Sequence, residues 1–159
     1  MREHVLNLDE VELQPHGHGE QFQAQIGAIG RRIGARRLGY RLVVLPPGKR
    51  AWPYHCHHNN EEMFYVLSGR GTLRMGEQQI PLREGDVVCA PEGGPETAHQ
   101  IRNDGDTPLR YLAISTMRGP DVFEYPDSGK FGVFAGDKLA PRLSYYGRTA
   151  TAVDYWDGE

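Results

Sequence analysis

The sequence predicts an all-β protein, folded as a closed or sandwich-like antiparallel barrel. Three observations carry that reading: an excess of turn-forming residues, a series of short strand-like segments, and no convincing helical period between residues 38 and 117. The 159 residues include 20 glycines and 11 prolines, well above the roughly 12% usual for the two together. Such punctuation favours many short elements joined by tight turns over a helical bundle.

The elements follow in order. Leu38–Leu45 alternates as a strand and ends at Pro46-Pro47-Gly48. Trp52–His57 is a second strand, and Glu62–Leu67 a third, closed by Ser68-Gly69-Arg70-Gly71. Thr72–Met75 and Gln78–Leu82 flank Gly76-Glu77 as a hairpin, and Asp86–Ala90 is a short apolar strand stopped by Pro91. Ala98–Arg102 and Leu109–Thr116 flank Asn103-Asp104-Gly105-Asp106, a second hairpin signal. These segments make residues 38–117 the barrel core. Residues 1–37 read as an N-terminal arm, in which Pro15-His16-Gly17-His18-Gly19 is a loop. Residues 118–159 read as an aromatic C-terminal extension, carrying Tyr145, Tyr146, Tyr155 and Trp156, packed on the barrel or on a partner subunit. Gly27–Gly34 superficially matches a dinucleotide fingerprint. It lacks a strong preceding strand and a following helix of adequate length, so the match is rejected.

Composition narrows the function classes. One domain is expected at this length. The longest apolar runs, such as Leu42–Leu45, are only a few residues, far short of the roughly 20 a membrane helix needs. The N-terminal residues lack an apolar h-region, so no signal peptide is read there. Two cysteines cannot build a disulfide framework and point to free thiols in a reducing, cytoplasmic compartment. A formal net charge of −3 favours neither nucleic acid nor an anionic membrane as a partner.

His55-Cys56-His57 carries the chemistry. In a strand alternate residues share a face, so both imidazoles point one way and Cys56 points the other. Glu62 opens the next strand, about 4.8 Å away if the two are paired, and its carboxylate reaches the same point. His99 opens a later strand. Three imidazoles and a carboxylate suit a first-row divalent metal with open positions for water or substrate. Phe64 and Ile101, two residues beyond Glu62 and His99, belong inside the barrel by the same alternation. Glu61 is the alternative carboxylate. His58 is out of phase with the ligands and reads as solvated. Lys49 and Arg50 are the best cationic residues for a cavity mouth, and Arg31, Arg32, Arg36 and Arg37 form a solvated basic cluster.

Gly48, six residues, His55-x-His57, four residues, Glu62, six residues and Gly69 resemble the first motif of the cupin superfamily. Gly85, five residues, Pro91-x-Gly93, then His99, three residues and Asn103 resemble the second. The lead-in from Gly48 is one residue longer than usual. Gly93 and His99 are separated by five residues where two are usual, so Gly94-Pro95-Glu96 reads as a loop insertion. The resemblance covers about residues 38–117. It implies a double-stranded β-helix, or jelly roll, with His55, His57, Glu62 and His99 holding one divalent transition metal: iron, manganese, nickel or zinc. It also implies a small-molecule substrate. The three-histidine, one-glutamate pattern resembles cupin-type phosphoglucose isomerases, in which a metal-stabilised enediolate would form and Glu62 or a bound water would move the proton. A cupin dioxygenase and a non-catalytic small-ligand binder are the alternatives. A cationic cavity favours a sugar phosphate and an apolar one a dioxygenase. A homodimer is expected, with the arm or the tail crossing the interface to cover open strand edges.

Overall fold

Two facing sheets wrap one core, and each is lengthened at one edge by a terminal segment. The computed structural model describes residues 3–137 and 140–159. Met1 and Arg2 of the arm, and Lys138 and Leu139 of the extension, lie outside them.

Among the described residues, thirteen strands follow in chain order. They are β1 (Gln14–His18), β2 (Phe22–Ala28), β3 (Leu38–Leu45), β4 (Cys56–His57), β5 (Glu62–Ser68), β6 (Arg70–Met75), β7 (Gln78–Arg83), β8 (Val87–Ala90), β9 (His99–Arg102), β10 (Leu109–Thr116), β11 (Asp121–Tyr125), β12 (Lys130–Asp137) and β13 (Ala140–Gly147). One sheet runs β1-β2-β3-β10-β5-β8. The other side is built from β7-β6-β9 and β13-β12-β11-β4. An antiparallel bridge joins these two groups, with His55 and His99 exchanging backbone hydrogen bonds at 3.2 and 2.8 Å. All named strand pairs are antiparallel. This is the antiparallel barrel expected from the turn-marked strands, and the jelly roll that the cupin resemblance implies.

The core sits between the two sheets, where alternation places it. In β5, Phe64 and Val66 are buried while Met63 and Tyr65 face outward. Val43 and Leu45 of β3, Leu73 of β6, Ile101 of β9, and Leu109 and Tyr111 of β10 complete the same cluster. Gly69 links β5 to β6 at φ +88°, and a Cβ there would stand 2.5 Å from the Pro108 carbonyl oxygen. Both the left-handed backbone and the close approach require glycine. Asn103, also buried, donates its side-chain N–H groups to the Leu45 and Thr107 carbonyls and holds the β9–β10 turn.

The structure differs from the sequence-based reading in three places. Pro15–Gly19 is not a loop throughout: Gln14–His18 is a strand paired with β2. Every residue of β1 is exposed, so no alternation marked it. A strand, β2, does precede the glycine-rich Gly27–Gly34 segment, but only a four-residue 3₁₀ turn, Gly30–Ile33, follows, so no dinucleotide-binding unit forms. Within Trp52–His57 only Cys56–His57 is regular strand. Pro53 lacks the N–H a ladder needs. No helix among the described residues is long and apolar enough to cross a membrane.

Candidate metal centre

Sheet register brings the four predicted ligands to one place. His55 faces His99 across the bridge between the two halves of the second sheet. His57 lies two residues further on, on the same side of β4. Glu62 opens β5 on the opposing sheet, where it pairs with Ser115 and Ala90. The Nε2 atoms of His55, His57 and His99 lie 3.8, 3.8 and 3.0 Å from one atom, Glu62 Oε2. The ligating atoms of His55, Glu62 and His99 all lie within 4.8 Å of one another; His57 falls outside that circle and meets the group through Glu62. Donors held at about 2.0–2.2 Å from one ion lie roughly 3–4 Å apart, so small side-chain movements bring this set to bonding distance.

The far sides of two rings determine what their near sides offer. His55 Nδ1 is 2.8 Å from the Pro53 carbonyl oxygen, which can only accept, so Nδ1 carries the proton and Nε2 keeps its lone pair. His57 Nδ1 donates in the same way to Asp121 Oδ2 at 2.7 Å. Asp121 is fully buried and also accepts the Asn59 backbone N–H. This carboxylate–imidazole arrangement orients a ligating ring and raises its basicity. His99 differs: its Nδ1 is buried without a partner, and packing against His55 and Phe64 sets the ring. The donor chemistry thus fits a first-row divalent ion.

Charge follows from the same geometry. Burial alone would raise the Glu62 carboxyl, but the His99 hydrogen bond and the three imidazoles outweigh it and hold Glu62 at about 2. Burial, then repulsion from His99, pushes His55 down to about 4, so its lone pair is available at neutral pH. Burial and the Glu62 charge push Tyr111 upward, so it stays a neutral phenol. Asp121 is held below the usual carboxylate range: burial opposes this, and the His57 hydrogen bond prevails.

The four residues open into a cavity of about 210 Å³. Trp52, Phe64, Tyr111, Phe123, Tyr125 and Tyr146 give it aromatic walls, while Arg41, Gln100 and Ser115 supply polar groups. Phe64 and Ile101 line it, as alternation predicted, and exposed Glu61 does not. Lys49 and Arg50 are not at the mouth. Lys49 donates to the Glu20 carbonyl at 2.6 Å, and Arg50 lies over the Phe22 ring. The cation lining the cavity is Arg41, exposed at the rim and on the inward phase of β3 with buried Val43 and Leu45. The sequence reading also missed Asp121, Tyr125 and Tyr146. They come from the C-terminal extension, and only the pairing of β11 with β4 brings them here. An alternation count over β3 would have marked Arg41; nothing local marks Asp121.

Comparison with known proteins agrees with this architecture. Residues 41–115 match the cupin domain family. An uncharacterised Methanocaldococcus jannaschii protein is 33% identical over 73 residues, 46% of this chain, and the match spans only 55% of that protein's length. An oxalate-binding protein of Thermotoga maritima is 36% identical over 98 residues, covering 62% of this chain and 77% of the relative. The crystal structure of a candidate sugar phosphate isomerase from Acidithiobacillus ferrooxidans superposes with a TM-score of 0.81 at 30% identity, over 96% of this chain and 97% of that one. The chain belongs to the cupin superfamily, a class of jelly-roll proteins that commonly bind metal.

Proposed function

We propose that this cupin is a metal-dependent enzyme that moves a proton between adjacent carbons of a small hydroxy-carbonyl substrate bearing an anionic group, as a sugar-phosphate isomerase does. The observation that carries the reading is an ionised Glu62 facing three imidazoles inside a cavity whose rim holds one guanidinium. His55, His57, Glu62 and His99 hold the metal. A divalent ion held there would supply Lewis acidity to the substrate. Arg41 anchors the phosphate or carboxylate at the rim, where a planar guanidinium binds it with two hydrogen bonds. Glu62, ionised at neutral pH, or a water held at the site would accept the proton and return it to the neighbouring carbon. The Tyr111 phenol, kept neutral by burial, donates to the substrate oxygen where charge develops. The aromatic walls exclude water. Likeness to the candidate isomerase over nearly the whole chain supports this reading, and the oxalate-binding relative supports an anionic ligand.

The aromatic walls support a second reading, a dioxygenase of the same metal site. Metal-loaded protein incubated with hexose and pentose phosphates in deuterated water separates the two. Deuterium entering the carbon beside the carbonyl, with KM raised at least about tenfold in Arg41→Gln, supports the isomerase. Oxygen consumption with an aromatic or dicarbonyl compound, and no exchange on any sugar phosphate, overturns it. Two free thiols, Cys56 and Cys89, support a cytoplasmic setting. The protein works as a homodimer: Val153, Tyr155 and Trp156 are 75, 84 and 71% exposed, and a second copy covers them.

A further inference from the structure

β4 and the residues on either side of it, which carry His55 and His57 toward the cavity, have a second face. Cys56 and His58 alternate with the two histidines and point away from the cavity. On the neighbouring strand Glu124 pairs directly with Cys56, just as Phe123 pairs with His57. Register therefore assembles a second set of donors by the rule that assembled the first. The sulfur of Cys56, an imidazole nitrogen of His58 and a carboxylate oxygen of Glu124 lie within 4.8 Å of one another. The last two meet at 2.6 Å between Nε2 and Oε1.

We propose that Cys56, His58 and Glu124 form a second divalent-metal site, of the zinc or cobalt type, on the outer face of β4. The donor set selects the ion. A thiolate with an imidazole suits borderline-soft zinc or cobalt and disfavours calcium or magnesium, which take oxygen ligands. Cys56 is wholly buried beside Tyr54 and Ala98, so its sulfur is fixed. The His58 and Glu124 side chains are 43 and 35% exposed, which gives the ion an entry path and leaves a fourth position open to solvent. Three protein ligands with one open position is the arrangement of an exchangeable site rather than a closed structural one. Salt-bridge stability is a weak competing reason for the cluster, because a solvent-exposed ion pair contributes about 0–1 kcal/mol.

Sulfur makes the site directly readable. The cavity site has no sulfur ligand, so a near-ultraviolet sulfur-to-cobalt charge-transfer band reports the outer site alone. The experiment titrates cobalt(II) into chelator-treated full-length protein in a Cys89→Ser background, which removes the exposed thiol. One band is expected, complete by two equivalents because the cavity site takes up the other. It should persist in His99→Ala, vanish in Cys56→Ala, and require roughly 10–100-fold more cobalt in His58→Ala or Glu124→Gln. The latter two change partly exposed side chains and keep the test decisive even where the buried Cys56 variant fails to fold. Absence of a band at excess cobalt overturns the proposal. So does a band unchanged by both His58→Ala and Glu124→Gln.

Discussion

Asp121 shows how much one buried side chain decides. It is not among the residues lining the cavity, yet its carboxylate orients the His57 ring and sets which nitrogen faces Glu62. Asp121→Asn keeps the shape and weakens the acceptor. The expected outcome is a 10–100-fold loss of metal affinity, measured by competition with a chromophoric chelator, with the fold intact by circular dichroism. His55 makes a second, titrimetric prediction for metal-free protein. Its folded value, about 4, lies below the ordinary 6.5. Between those values the unfolded chain takes up a proton that the folded site refuses, so stability falls as pH drops through that window. The loss from this ring is on the order of 3 kcal/mol. Glu62, lowered from 4.5 to about 2, adds a slope of the same sign at still lower pH. Urea denaturation from pH 7 to 4 measures the first effect, and His55→Gln should flatten it.

At the scale of elements, turns and pairings hold the ligands in place. β5 reaches the site through Glu62 at one end and leaves it through Gly69 at the other. A Cβ at Gly69 meets the Pro108 carbonyl, and the positive φ adds strain of about 1–3 kcal/mol. Gly69→Ala should therefore destabilise the protein by at least that range in equilibrium denaturation, while Gly48→Ala, at positive φ but in open space, costs less. Equal losses at both positions would show that the close approach contributes nothing. β4 is the shortest strand, two residues long, yet it presents side chains to the cavity on one face and to Glu124 on the other. Neighbouring strands, not its own length, keep it in place.

Over the whole molecule, the terminal segments do more than decorate a barrel. β1 and β2 extend one sheet, while β11, β12 and β13 extend the other and bring Asp121, Tyr125 and Tyr146 to the site. Beyond β13, Tyr155 and Trp156 pack edge to face on each other and stay exposed. The dimer proposed above predicts a mass in light scattering near twice 17.9 kDa at micromolar concentration. Tyr155→Ser with Trp156→Ser should shift it toward the monomer. A monomeric mass for the unaltered chain refutes the dimer, and a dimer untouched by both substitutions removes the tail from the interface.

Alternation by itself determined much of this protein. The period of two put His55 with His57, Glu62 with Phe64, and His99 with Ile101, and turn residues marked the strands from Leu38 to Thr116. Those are local properties, because neighbours in a strand impose them whatever the chain does elsewhere. The structure alone decided which strands meet. The β4–β11 pairing joins residues more than sixty positions apart, and no local pattern specifies it. It supplies the acceptor for His57, the aromatic wall beyond the barrel and the Cys56–Glu124 pair. Arg41 took the cationic position expected of Lys49 or Arg50 for a related reason. Which inward-facing residue reaches the rim depends on how far along β3 the core ends, and the packing of Val43 and Leu45 between the sheets sets that depth.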